Sequence, residues 1–152
     1  FSAALDFLTR REDSGLAGFV TQAYVPSGGN ILRAVIIGKK VIAYWKRPEE
    51  PGQVITTISK GAIIDHQWRP DLQEKGRAAA QSLAAKTGID LAAVDFVFPL
   101  SEKDPEPLFL EINYYFGRRG LGGSEKYYQL LYQAIRQWLE ASGLDPEAVR
   151  LV

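Results

Sequence analysis

Cysteine and methionine are both absent from this sequence of 152 residues, and histidine occurs once, at His66. Without cysteine the chain forms no disulfide, carries no thiol nucleophile and offers no thiolate to a metal ion. A single histidine also excludes a histidine metal cluster. No apolar run approaches the roughly 18 residues that a membrane-spanning helix needs. We therefore predict a cytoplasmic protein that acts away from the membrane.

An excess of charge is missing too, because 18 lysine and arginine residues balance 18 aspartate and glutamate residues. Net charge consequently gives no support for binding to nucleic acid or to a membrane surface. The length fits one compact domain, and the apolar fraction of 46% is enough for a sizeable core. Since the sequence starts at Phe1 and contains no methionine, we expect it to be part of a longer protein. The composition leaves a homo-oligomer open.

Turn residues and hydrophobic periodicity divide the chain into groups of strands, each followed by a helix. The predicted strands cover residues 19–25, 31–37, 41–47, 54–58, 91–98 and 107–113, and the predicted helices cover residues 1–12, 70–87 and 124–142. The corresponding units are an N-terminal helix and connector (1–18), a main domain (19–143) and a short tail (144–152). This pattern predicts an α+β fold, in which helices cover one face of a mostly antiparallel sheet and leave the other face for a ligand.

Three oxygen-bearing side chains mark the last two predicted strands. Asp95 interrupts the apolar run 91–98, and Glu111 and Asn113 end the run 107–113. Paired as a hairpin, these runs place all three side chains on one face, because side chains alternate along a strand. The predicted pairs are Val94–Ile112, Asp95–Glu111, Phe96–Leu110 and Phe98–Leu108. Oxygen ligands of this kind suit magnesium or manganese, whereas the alternative is a polar sheet face that meets water.

Basic residues on the preceding strands are candidate phosphate ligands. Arg33 interrupts the apolar run 31–37, and Arg47 ends the next strand. The planar guanidinium group binds phosphate oxygens in pairs, although Arg33 could equally be an exposed charge that discourages edge pairing. Lys46 must point away from Arg47, and we interpret it as such an exposed charge.

A glycine-rich segment, residues 117–120, follows Asn113 and contains Arg118 and Arg119. Glycine lets the backbone approach a ligand closely, and the two arginines could hold a carboxylate or a phosphate. The last helix should begin with Ser124 as its N-cap and point its amide groups back toward this loop. A connector between strand and helix that binds no ligand is an equally good interpretation.

Taken in order, these motifs resemble the C-terminal half of the ATP-grasp superfamily, in the branch of the ribosomal-protein glutamate ligases and the lysine-biosynthesis ligases. The resemblance covers roughly residues 19–139. Val94-Asp95 and Glu111-Ile112-Asn113 are similar to the metal motif of that branch. Residues 32–38 are similar to its Ile-Arg-x-x-Val-Val-Gly strand, and the metal motif is the more specific element.

The resemblance implies ATP held between two lobes, of which this chain would supply the second. The implied roles are backbone contacts to adenine from Gln22, Ala23 and Tyr24, phosphate contacts and catalysis by Arg33 and Arg47, magnesium or manganese binding by Asp95, Glu111 and Asn113, and substrate binding by Arg118 and Arg119. A substrate carboxylate, on a small molecule or a peptide, would attack the γ-phosphate. An amine or thiol would then displace phosphate from the acylphosphate. The chain on its own should be inactive.

Several positions depart from the pattern of that branch. Ile31 and Ala23 replace acidic residues, Thr57 replaces an asparagine, and residues 115–117 replace Ser-Pro-Gly. The implied metal ligands are retained, so the departures concern the substrate more than the nucleotide. Two alternatives stay open: a kinase of ATP-grasp type, and a non-catalytic binding module.

Overall fold

The computed structural model describes residues 22–50 and 61–148. The predicted helix 1–12, the unit 1–18 and the predicted edge strand 54–58 lie outside the described residues. The elements are β1 (Ile31–Ile37), β2 (Lys40–Arg47), β3 (Ile63–Asp65), α1 (Pro70–Thr87), β4 (Leu91–Val97), β5 (Leu108–Asn113), a 3₁₀ turn (Arg119–Leu121) and α2 (Ser124–Ala141).

The five strands form one sheet in the order β3-β2-β1-β4-β5, and all neighbouring pairs are antiparallel. β1 and β2 join through a tight turn at Gly38, whose φ of 56° lies in the left-handed region that glycine adopts without strain. An antiparallel sheet with two helices packed on it confirms the predicted α+β class.

The two helices lie on opposite faces of the sheet. Side chains such as Leu32, Ala34 and Trp45 pack with α1, whereas Val35 and Ile37 pack with Tyr127 and Leu130 of α2. The expectation that both helices share one face is therefore wrong. β1 is apolar on both faces beyond Arg33, and a strand of this kind needs cover on both sides.

Close backbone approach fixes α1 against the sheet. The helix begins at Pro70, where a missing amide hydrogen costs nothing, and ends at Gly88 with a φ of 72°. A Cβ atom added to Gly76 would lie 2.2 Å from Leu32 Cδ2. Only glycine at this position lets the helix axis come so close to β1.

Other predicted boundaries need correction. Residues 22–25, the described part of the predicted strand 19–25, form no strand, and β3 arises in a segment that carried no strand prediction. Gly123, with a φ of 97°, is the N-cap of α2 in place of Ser124, which is the first helical residue. Neither helix of the described residues is long and apolar enough to cross a bilayer.

Candidate nucleotide and metal site

A buried carboxylate lies at the centre of the sheet face that α2 leaves partly open. Asp95 has no exposed side-chain surface, and it is the cross-strand partner of Arg33. Arg33 donates from Nε to Oδ1 and from Nη2 to Oδ2, both over 2.7 Å, and Lys46 Nζ donates to Oδ2 over 2.7 Å. We call Arg33, Lys46 and Asp95 the Asp95 cluster. Bidentate, charge-assisted bonds of this length are among the strongest that proteins form.

The cluster keeps its charges because its members compensate one another. Burial alone would raise the pKa of Asp95, but the hydrogen bonds from Arg33 and the charge of Lys46 outweigh burial and hold that pKa below its usual value. Burial likewise opposes the charged form of Arg33, yet Asp95 keeps the Arg33 pKa above its usual value. Asp95 and Arg33 are therefore both charged at neutral pH. Two cations on one carboxylate leave one positive charge in excess within the cluster.

Lys46 is the functional candidate that sequence reasoning missed. The interpretation of Lys46 as an exposed strand charge is wrong, because only 6% of its side chain is exposed. Its cross-strand partner is Ile31, two positions before Arg33. Strand alternation in the sequence separates Lys46 from Arg47, but the packing of Ala43 and Trp45 against α1 decides which of the two lies on the face of Asp95.

Arg47 is not brought to the Asp95 cluster. It lies on the α1 face, where Nη1 donates to Asp65 Oδ2 over 2.8 Å and the guanidinium group stacks 4.4 Å from the Trp68 ring centroid. Asp65 also accepts from the backbone amides of Gln67 and Trp68. The catalytic and phosphate-binding roles of Arg47 stay predictions that this position does not favour.

Glu111 and Asn113 follow Asp95 across the same face. The predicted pairs Asp95–Glu111 and Val94–Ile112 are confirmed, and Asn113 lies opposite Ala93. Asn113 Nδ2 donates to Glu111 Oε1 over 3.0 Å, and the Glu111 side chain is exposed. The three predicted metal ligands thus share one surface of the β4–β5 pair.

The outer half of the β4–β5 pair differs from the predicted register. Phe96 pairs with Phe109 and Val97 pairs with Leu108, so the predicted pairs Phe96–Leu110 and Phe98–Leu108 are wrong. The shift between Asp95 and Phe96 is an irregularity of the β-bulge kind, in which one strand carries an extra residue, here Leu110.

The donor chemistry fits a hard divalent cation only in part. Carboxylate and amide oxygens are suitable ligands, and Glu111 and Asn113 face the surface. Both oxygens of Asp95, however, already accept hydrogen bonds from Arg33 and Lys46. No group of three acidic, histidine or cysteine side chains suited to a metal occurs within residues 22–50 and 61–148, so the set depends on the Asn113 amide.

A cleft adjoins the cluster on the same face. It has a volume of about 260 Å³. Its walls include the predicted adenine-binding residues Gln22, Ala23 and Tyr24 together with Val25, Ser27, Gly29, Ile31, Val97 and Leu110. Ile31 and Val97 each lie two positions from a cluster residue, which corresponds to about 7 Å along a strand. The structure therefore brings the predicted adenine residues and the cluster onto one continuous surface.

The glycine-rich segment packs against protein groups. Arg118 lies 4.7 Å from the ring centroids of both Tyr127 and Tyr128, and its Nη1 donates to Tyr128 Oη over 2.9 Å. Arg119 is exposed at the start of the 3₁₀ turn. A Cβ atom added to Gly120 would lie 2.1 Å from Tyr44 Cζ, so this glycine serves contact with the ring. Substrate binding by the two arginines stays a prediction.

Tyr44 forms the wall between this segment and the cluster. It is fully buried and is the cross-strand partner of Arg33. Its hydroxyl has no hydrogen-bond partner among the described residues. Burial raises the Tyr44 pKa, and the Arg33 charge counteracts only part of that rise. Tyr44 therefore places a neutral aromatic ring next to Arg33 in the sheet.

Sequence relatives support the resemblance that the motifs indicate, although no family model matches the chain. Probable alpha-L-glutamate ligase 2 of Hahella chejuensis is 31% identical over 107 residues, which are 69% of this chain and 33% of that protein. A probable alpha-L-glutamate ligase of Legionella pneumophila (strain Corby) is 32% identical over 111 residues, covering 72% of this chain and 33% of that protein. Probable alpha-L-glutamate ligase 1 of Shewanella frigidimarina is 31% identical over 111 residues, which cover 72% of this chain and 34% of that protein.

The antiparallel sheet, its two helices and the acidic β4–β5 pair fit the C-terminal lobe of the ATP-grasp superfamily that the sequence motifs resemble. Within that superfamily, the chain is related to the probable alpha-L-glutamate ligases, and the predicted resemblance is confirmed. The chain spans about one third of the length of the curated relatives it matches.

Proposed function

We propose that this chain is the ATP- and metal-binding part of an ATP-dependent ligase that joins a carboxylate to an amine, with glutamate as one substrate. One observation carries the proposal. The cleft, the Asp95 cluster and the Glu111 and Asn113 side chains lie on the same face of the sheet, across β2, β1, β4 and β5. The names of the relatives support glutamate. Their greater length supports a further lobe that completes the site in the whole protein.

The residues of this surface take distinct roles in the proposal. Backbone groups of Gln22, Ala23 and Tyr24 hold adenine in the cleft, and Arg33 faces the phosphates. Glu111 and Asn113 would hold magnesium, and Asp95 would add its remaining acceptor site as the third ligand while it keeps its hydrogen bonds to Arg33 and Lys46. When bound there, magnesium would neutralise charge on the phosphate groups. Arg33 stabilises the charge that develops on the transferring phosphoryl group.

The chemistry that this surface serves has two steps. The substrate carboxylate attacks the γ-phosphorus, the bond to ADP breaks, and an acylphosphate forms. The amine then attacks the acyl carbon, phosphate leaves, and an amide results. Exposed Arg119 is available for the acceptor substrate, whereas Arg118 first has to leave Tyr127 and Tyr128. Cytoplasmic ATP and magnesium would supply the reaction.

The test uses the full-length product of the gene with ATP, magnesium and glutamate. We expect release of ADP and phosphate, and hydroxylamine should trap the acylphosphate as a hydroxamate. A stable phosphoester in its place would establish the kinase alternative. No ADP with any tested carboxylate, and no nucleotide binding, would support the binding module.

Substitution of the exposed acid sharpens this test. We expect Glu111→Gln to lower ADP release at least about a hundredfold, because the metal loses its exposed carboxylate ligand. Folding should be unaffected, since Glu111 is on the surface. Glu102→Gln, in the turn of the same hairpin, is the matched control. Equal ADP release in both variants would contradict the assigned metal site.

A further inference from the structure

We infer that Lys46, and not its neighbour Arg47, is the second phosphate-binding cation of this site, and that Asp95 is the positioning residue that aims both Lys46 and Arg33. This inference rests on the proposed function and assigns a residue to the nucleotide site within it.

The position of Lys46 between the cleft and Arg33 is the first argument. Lys46 is the cross-strand partner of Ile31, which lines the cleft. Arg33 follows Ile31 by two positions on the same face of β1. A nucleoside held in the cleft by residues 22–24 would therefore extend its phosphates past Lys46 before they reach Arg33.

The hydrogen bonds of Asp95 give the second argument. One carboxylate holds two cations at 2.7 Å, so neither long side chain has to be ordered when an anion binds. Pre-ordering lowers the entropy cost of immobilising each side chain when the anion binds. The two cations outnumber the single carboxylate of the cluster, and the charge of the nearby Glu111 would be offset by the magnesium that it is proposed to hold.

The surroundings of Arg47 give the third argument. Arg47 faces α1, its Nη1 is paired with Asp65, and its guanidinium plane lies against Trp68. Reaching the cleft would require Arg47 to pass through the plane of the sheet. The two neighbouring basic residues therefore lie on opposite faces of the sheet, and only Lys46 lies on the face of the cleft.

Binding of ATP, ADP and adenosine by the full-length product, measured by calorimetry with magnesium, tests the inference. We expect Lys46→Met to weaken ATP binding roughly ten- to hundredfold, the size of a lost charge-assisted bond. Adenosine binding should change less than about twofold, since adenosine has no phosphate. Arg47→Met should change ATP binding by less than about threefold.

The comparison separates a phosphate ligand from a merely structural residue. Lys46→Arg should restore most of the ATP affinity, because it keeps a cation on Asp95, and it carries the test if Lys46→Met does not fold. Equal losses for ATP and adenosine would overturn the inference, as would a larger loss in Arg47→Met than in Lys46→Met. A parent protein that binds ATP while Lys46→Met binds it equally well overturns the inference alone. A parent that binds no nucleotide overturns the proposed function and this inference together.

Discussion

On one face of the sheet, Arg33 and Lys46 converge on a fully buried carboxylate, whereas on the other face Arg47 meets the partly exposed Asp65 and the Trp68 ring. Both arrangements pair a cation with an aspartate at similar distances. They differ in solvent, which screens the pair at Asp65 but is excluded from Asp95. A buried charge that loses its partner cannot turn to water, so the consequences of mutation should differ sharply between the two faces.

The largest expected effect concerns the buried side of this comparison. Asp95→Asn leaves two buried cations without a counter-charge, and we expect a loss of about 3–5 kcal/mol in the free energy of unfolding. Urea denaturation followed by circular dichroism measures the change. Asp104→Asn is the control, because Asp104 meets its partner Lys75 at the surface, where solvent screens the pair, and this variant should lose much less stability than Asp95→Asn. Similar losses of stability in both variants would contradict the distinction between buried and solvent-screened ion pairs.

An intermediate effect concerns the packing of the two faces. Gly120 touches the rigid Tyr44 ring on the cluster face, whereas Gly76 touches the end of the Leu32 side chain on the α1 face. Overpacking costs typically about 1–3 kcal/mol. We expect Gly120→Ala to reach the upper end of that range and Gly76→Ala to cost less, since a terminal methyl group can shift more easily than an aromatic ring. Thermal or urea unfolding of both variants checks the order, and a larger loss in Gly76→Ala would contradict it.

The smallest expected effect concerns pH on the α1 face. Hydrogen bonds from the Gln67 amide, from Arg47 and from the Trp68 amide hold the Asp65 pKa below its usual value. A lowered pKa in the folded state stabilises the protein above the unfolded pKa of about 3.9, and this contribution is lost as the pH falls through the folded value.

Asp65→Asn should therefore reduce the fall in stability between about pH 4 and pH 2, the range below the unfolded pKa. The effect should be small, because Asp65 is partly exposed and water screens its charge. Unfolding free energies of parent and variant at several pH values measure it. If stability falls with pH equally steeply in parent and variant, the pKa of Asp65 is the same in the folded and unfolded states.

Sequence patterns predicted the sheet better than its surroundings. β1, β2, β4 and β5 follow from apolar runs and turn residues, and the pairing of Asp95 with Glu111 follows from the hairpin. The register of the outer half of that hairpin could not be predicted, because an extra residue such as Leu110 does not change the pattern of an apolar run. Likewise, the alternation between Lys46 and Arg47 was visible, but which of them faces the cleft depends on helix packing.

The location of α2 illustrates the same limit. Its apolar stripe was evident, yet an amphipathic helix does not specify which sheet face it covers. The answer depends on Val35 and Ile37, whose exposure on the second face would be costly. The role of Gly120 could not be predicted either, because the sequence does not distinguish a glycine that packs on an aromatic ring from one that contacts a phosphate.

The outer strands of the sheet bear on how the protein behaves at high concentration. β3 has only three residues, and β5 is interrupted at Leu110 and carries the charged Glu111. Short, bent or charged margins are poor templates for strand addition by another molecule. The irregularity that presents Glu111 and Asn113 to solvent thus also makes this margin a poorer template for strand addition.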